Sequence, residues 1–335
     1  RLARAGTVAA LVLGAIGQHG AAADRLRLTG VDYYGDLPTL IAARDGHFAR
    51  AGARVRVSYG GSGQENLAEL RAGRTDFALM AMPPLVIDAL ADPDPGEPDD
   101  PVILANLSHA RPVLSIMALD APAGAGPEAL EGRRIGLQRG TNAHYLWHLF
   151  RSANGLDRSR IEIVDIRSDD IPAAFERGRI DAAVTWQPWT NAVRDRFGAR
   201  VTEYGHDDLH VSRWLLVARR ETLARAPGQT RAILRAYRSA VAWIQGNPDA
   251  ANAAFRTKWQ HEAAGGSRDG PLPLFDVALT WSLFSSFRQQ LRWAKAAGRE
   301  GGDRVPDFLS LVAPRPLARL SPGAVLLPLP SGGDP

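Results

Sequence analysis

Two hydroxyl-bearing turns could do chemistry in this sequence. Gly60-Gly61-Ser62-Gly63 follows a strand-like run at residues 54–59 and leads into a helix-like run at 64–71. Arg139-Gly140-Thr141-Asn142 stands between a second strand-like run, 134–138, and a helix at 142–154. Gly140 permits a tight turn, and Ser62, Thr141 and Asn142 are good helix N-caps. The N–H groups of a helix start hold an anion without a counter-charge from a side chain. Plain capping explains the same residues, so their surroundings decide. Tyr33 and Tyr34 follow the first predicted strand, Met82-Pro83 the third, and Trp186-Gln187-Pro188-Trp189 the run at 181–185. In α/β sheets, ligands gather at such strand ends. Tyr33, Tyr34 and Trp186 could wall the organic part of a ligand. His144, one turn into the second helix, could hydrogen-bond one, whereas Arg139 reads as solvent-facing. The candidate ligand-binding set is Tyr33, Tyr34, Gly61, Ser62, Met82, Thr141, Asn142, His144 and Trp186.

Other chemistries lack their residues. With no cysteine, thiol catalysis, disulfides and thiolate metal sites are excluded. No HExxH, GxSxG, Walker loop or GxGxxG occurs. His206 and His210 stand four apart, but no helix is evident there and no acidic partner stands out. We therefore expect no catalytic residues, no metal and no cofactor.

The elements that position the turns form two series. Residues 26–31, 54–59 and 77–82 read as strands, separated by helices at 37–50 (closed by Gly52) and 64–71, with a further helix starting at Pro83-Pro84. Short loops in this order argue for a parallel sheet with covering helices. Residues 92–101 (DPDPGEPDDP) read as an acidic, solvated loop, and 103–107 and 113–119 as strands. A second series follows: strand 134–138, helix 142–154, strand 161–166, helix 171–177, strand 181–185. Two similar α/β units suggest two lobes with a cleft between them, suited to hinge closure on a ligand. Residues 211–218 read as a strand returning to the first lobe. Residues 221–260 and 275–297 read as helical, with Trp243, Phe255, Trp259, Trp281, Phe284 and Trp293 as core. Residues 321–335 read as a frayed tail.

The net charge of +4 is spread among acids rather than clustered, and only Lys258 and Lys295 are lysines. That excludes a nucleic-acid stripe and is compatible with an anionic small ligand. Arg1 and Arg4, the apolar run 7–16 and Ala21-Ala22-Ala23 have the layout of a secretory signal. The domain expectation is a signal peptide at 1–23, lobe 1 from 24–110 and 211–320, lobe 2 from 111–210, and a tail from 321.

Four groups of residues then carry a resemblance. The first runs Leu37-Pro38-Thr39-Leu40, Asp45-Gly46-His47-Phe48, Gly52, and the second Gly63, Leu70, Gly73, Thr75-Asp76. The third is Leu130-Glu131-Gly132-Arg133-Arg134-Ile135-Gly136, Gly140-Thr141, His144. The fourth is Ala174-Phe175, Gly178-Arg179-Ile180-Asp181-Ala182, Trp186-Gln187-Pro188. In this order, over residues 26–259, the chain resembles periplasmic substrate-binding proteins of the nitrate/sulfonate/taurine class of ABC transporters, whose fold also occurs in a thiamine-precursor synthase. The resemblance implies a two-lobed α/β periplasmic-binding-protein type II fold, each lobe a mixed sheet flanked by helices, joined by two crossover strands. It implies a small organic anion in the cleft, contacted by the loops after Tyr33 and Gly61 and the turn at Thr141, with Trp186 at a strand end beside it. Its partner would be an ABC permease subunit in the inner membrane, and the protein a periplasmic monomer. The alternatives are an enzyme of cofactor-precursor metabolism on the same fold and a sensory ligand-binding module. Tyr33-Tyr34-Gly35-Asp36 departs from the family pattern: an Asp36 facing the pocket would repel a simple anion and would suit an amine, as on an aminosulfonate. The region after Gly265, with its arginine-bearing helix at 288–299, also departs.

Overall fold

The computed structural model describes residues 25–92, 96–110, 113–205, 209–259, 272–298 and 305–329. Residues 1–23, expected to be a signal peptide, together with His206, Gly265, Arg299, the Trp259 side chain and residues 330–335 lie outside the described residues.

The strands are β1 (Leu26–Val31), β2 (Val55–Gly60), β3 (Phe77–Ala81), β4 (Pro101–Ala110), β5 (Leu114–Leu119), β6 (Arg134–Leu137), β7 (Glu162–Asp165), β8 (Ala182–Trp186), β9 (Val201–Tyr204), β10 (Ser212–Arg219) and β11 (Leu274–Ala278). They form two mixed sheets, one ordered β11-β4-β10-β3-β1-β2 and the other β7-β6-β8-β5-β9. The chain leaves the first sheet after Ala110, enters the second at Leu114, and returns between Tyr204 and Ser212. In both sheets the strands of the β-α-β series run parallel, and the strand beside a crossing runs antiparallel to them. A strand covered on both faces is apolar throughout rather than alternating, and β3 (FALMA) is fully buried.

Register decides which side chains meet. In the first sheet Trp214 of β10 pairs with Ala81 at the end of β3. In the second, Leu114 of β5 pairs with Trp186 at the end of β8. Each antiparallel crossing strand therefore sets its own residue beside the strand end where a helix begins.

Several expectations are corrected. The helix expected at 37–50 is two, Leu37–Arg44 and His47–Arg50, because Gly46 adopts φ 70° between them. Residues 92–101 do not form a wholly solvated loop: Asp100 is buried, and its carboxylate accepts from Glu97 N–H (2.8 Å) and from Arg71 Nη1 (2.8 Å). The helix expected from 275 begins only at Trp281, since 274–278 alternates, burying Phe275 and Val277, and pairs with β4 as β11. The expected 221–260 helix is three, Arg220–Arg225, Pro227–Gly246 and Pro248–Trp259, each of the last two opening on a proline that suits a first helical turn. Phe255 and Trp293 are core and Trp243 and Phe284 half-buried, but Trp281, at the start of its helix, is 49% exposed. The expected tail is docked through Leu327: Leu279 N–H donates to Ala324 O and Leu326 N–H to Leu279 O, both 2.8 Å.

Candidate functional site

A cleft lies between the two sheets. From the first-sheet side it is lined by Val31, Tyr33, Gly63, Ala81, Pro84 and Trp214, and from the second by Leu114, Thr141, Asn142 and Trp186. The cavity is about 30 Å³, room for about two waters, so it must widen to take anything larger. No charged side chain lines it among the described residues.

Val31 and Tyr33 arrive from the end of β1, and Ala81 and Pro84 from β3 and the helix Met82–Ala91. Tyr33 packs against Trp214 with ring centroids 4.7 Å apart, and its hydroxyl bonds Ser212 Oγ at 3.1 Å. Burial pushes the Tyr33 hydroxyl above its ordinary range, keeping it a neutral phenol. Beneath this wall sits Asp36. It is buried and accepts from Val31 N–H (2.9 Å) and the Thr39 hydroxyl (2.5 Å), which also contacts the Tyr237 hydroxyl at 2.9 Å. Burial raises Asp36 to about 7, against the hydrogen bonds from Thr39 and Val31. Asp36 therefore braces the loop from behind; it does not line the cleft, which corrects the expectation that it could meet a ligand's amine.

The two turns differ. Ser62 is fully buried, caps its helix by accepting from Glu65 N–H (3.2 Å), and accepts from Gln138 Nε2 of the other lobe (3.0 Å). Thr141 turns its hydroxyl back to donate to Gln138 O (2.7 Å), so no side chain caps the helix Asn142–Ala153. Asn142 bridges the crossing: its Nδ2 donates to Ser212 Oγ (2.6 Å) and its Oδ1 meets His210 Nε2 (3.1 Å). A further cross-lobe ion pair joins Arg167 to Glu65.

Of the nine candidate residues, the structure brings Tyr33, Thr141, Asn142 and Trp186 to the cleft. Tyr34 turns away, its ring tilted against Phe255 (centroids 4.7 Å apart) and its hydroxyl donating to Asn252. Gly61 lies against Glu65, to which its N–H donates at 3.1 Å. Ser62 is consumed by the cap, Met82 is buried in the core, and His144 faces Trp293 (5.2 Å) while accepting from Gly140 N–H at 3.3 Å. Trp214 is the principal residue that sequence reading missed. Its strand was legible at 211–218, but its place opposite Ala81 depends on antiparallel register.

Trp186 is 5% exposed, and its buried Nε1 has no hydrogen-bond partner among the described residues. Buried donors are nearly always paired, so this one, on the cleft wall, is suited to an acceptor that the cleft receives.

Against this geometry, the sequence profile of the NMT1-like family matches residues 20–258. The chain belongs to the NMT1-like family. It is 26% identical over 220 residues to the taurine-binding periplasmic protein of Escherichia coli K12, an alignment covering 63% of this chain and 64% of that protein. The chain thus matches somewhat less than two thirds of that relative's length. Its fold is similar to that of the alkanesulfonate-binding protein from Xanthomonas axonopodis pv. citri bound to MOPS, with TM-score 0.69 and 15% identity over 86% of this chain and 98% of that one. It is also similar to the periplasmic nitrate-binding protein from Synechocystis PCC 6803, with TM-score 0.68 and 14% identity over 89% and 88%. The two-lobed periplasmic-binding-protein fold and the family resemblance read from the sequence are borne out.

Proposed function

We propose that this member of the NMT1-like family is a periplasmic solute-binding protein of an ABC importer, without catalytic activity, that holds one small organic anion of the sulfonate type between its lobes. The reading rests chiefly on one observation: the uncapped start of the helix Asn142–Ala153 opens on a cleft walled by Tyr33, Trp214 and Trp186. A helix N-terminus favours negative charge, and the aromatic walls favour an organic body. The names of the taurine- and alkanesulfonate-binding relatives support the same class.

In this proposal residues 24–110 with 211–320 form one rigid lobe and 111–210 the other, turning about the two crossings. Ligand enters with the sheets apart, and closure brings Ser62 to Gln138, Glu65 to Arg167 and Asn142 to Ser212. A ligand shifts that equilibrium by its differential affinity for the closed form, and an inner-membrane permease subunit reads the closed monomer. Residues 1–23 act as the export signal.

Thermal-shift measurements on the chain from Asp24 onward, against alkanesulfonates, nitrate, bicarbonate and pyrimidines, test the class. A ligand that binds only the folded chain raises its stability by about RT ln(1 + [L]/Kd). We expect a saturable rise with alkanesulfonates that is lost in Trp186→Ala. A rise with none of them, or turnover of any of these compounds, contradicts the proposal.

A further inference from the structure

Tyr33 reaches the cleft from a short loop whose flanking residues face the other way. Its backbone is extended, at φ −151° and ψ 138°, so Asp32 and Tyr34 project to the side opposite Tyr33. Both meet one helix, Pro248–Trp259. Lys258 Nζ, 226 residues beyond Asp32, donates to Asp32 Oδ1 at 2.8 Å. Asn252 accepts from the Tyr34 hydroxyl, and Phe255 packs its ring against Tyr34. The Lys258 ammonium also stands over the Tyr59 ring, 3.1 Å from its centroid. Tyr59 pairs with Gly30 between β1 and β2, and a Cβ at Gly30 would lie 3.0 Å from the Tyr59 ring. That ring therefore rests directly on the strand that leads into the loop. Lys258 is one of only two lysines in the chain, and its compact point charge serves a carboxylate and a ring face at one spot.

We propose that Lys258 is a positioning residue for the ligand site: by pairing with Asp32 and covering Tyr59 it fastens the loop from behind and so holds the Tyr33 ring on the cleft wall. This deepens the proposed function and rests on it for the ligand. Lys258 acts through the loop and does not itself line the cleft. The Asp32 side chain is only 32% exposed and that of Lys258 25%. Burial pushes the Asp32 carboxyl upward, against the pull of the Lys258 ammonium. Without that ammonium the carboxylate keeps its desolvation cost and loses the partner that offsets it, and the loop relieves the cost by turning Asp32 towards water. Tyr33 is the next residue, so that turn draws its ring off Trp214 and lengthens its bond to Ser212 Oγ, 3.1 Å in the native chain. Asn252 and Phe255 hold Tyr34, the other neighbour. The helix thus grips the loop on both sides of the ring that the ligand meets.

Lys258→Met keeps most of the aliphatic stem and removes the charge. Amide hydrogen exchange of the ligand-free chain from Asp24 onward reads the loop through the Asp36 N–H, which donates to Tyr33 O at 2.9 Å. That amide should exchange about tenfold faster in Lys258→Met while the β3 amides are unchanged, because local opening leaves core strands protected. Titration with propane-1-sulfonate should show about fivefold weaker binding in Lys258→Met, and no such loss once Tyr33→Leu has removed the ring, since residues that act through one another are not additive. An unchanged Asp36 exchange rate, or equal losses from Lys258→Met with and without the Tyr33 ring, overturns the inference while leaving the proposed function standing. A native chain that binds no sulfonate overturns the proposed function, and the Asp36 exchange rate then decides the role of Lys258 by itself.

Discussion

The two helix starts that face each other across the cleft have similar sequence signatures and opposite roles. On the first side Ser62 spends its hydroxyl on its own helix and receives Gln138, while Gly63 leaves no side chain at all. A Cβ at Gly63 would lie 2.8 Å from Met80 Cβ and 2.9 Å from Met80 Cα, so this helix start is pressed onto β3. On the second side Thr141 turns away from its helix and Asn142 reaches across to Ser212 and His210. The first start is capped by its own side chain; the second is left uncapped. A strand–glycine–helix turn therefore does not identify a binding site by itself: what matters is whether its cap is already taken.

The largest way to break that contrast is at Gly63. Gly63→Ala forces backbone movement against β3 and should destabilise the chain by about 1–3 kcal/mol, read as a fall in urea midpoint. Ser62→Ala should cost about 1 kcal/mol through the lost cap, in the same measurement. Thr141→Ala removes no cap. Its signature is a loss of ligand affinity, measured by titration, that exceeds its loss of stability. If Thr141→Ala lowers the urea midpoint more than Ser62→Ala, the contrast fails.

Asp36 sharpens the comparison through pH. Its folded-state value of about 7 lies above the ordinary 3.8, so the folded chain keeps a proton that the unfolded chain has lost. Its contribution to stability is therefore full below about pH 4 and declines as the pH rises to about 7. Urea midpoints of Asp36→Asn should lack this share of the decline between pH 4.5 and 7.5. An identical pH profile in the two proteins would contradict it. The smallest effect is expected at the rim. Arg167 is about half exposed, so Arg167→Ala, removing the pair with Glu65, should change stability by at most about 1 kcal/mol. That change should shrink further as salt is raised.

How much was legible follows from the same physics. Local periodicity placed β1 at its observed bounds and put the helix after Thr141 within a residue of its observed end. The two-lobe division was legible because the β-α-β series repeats, and the return strand because 211–218 is an apolar run. Non-local pairing was not legible. Phe275 was assigned to a helix because its pairing with Ser108 of β4 leaves no trace in its neighbours. In the cleft, Tyr33 and Trp186 were legible from their place at strand ends. Trp214 depends on register, and the diversion of Ser62 and His144 depends on partners far away in the sequence, Gln138 and Trp293.

The central claim is that ligand is held at the Asn142–Ala153 helix start and not at the Gly63–Arg71 start. Amide chemical shifts of the isotopically labelled chain, followed while propane-1-sulfonate is added, test it directly. The account predicts large, saturable shifts at the Asn142 and Ala143 amides and at the Trp186 indole N–H, with Gly63 and Glu65 moving least. Saturable shifts centred on Gly63–Glu65, with Asn142, Ala143 and Trp186 unmoved, would contradict it.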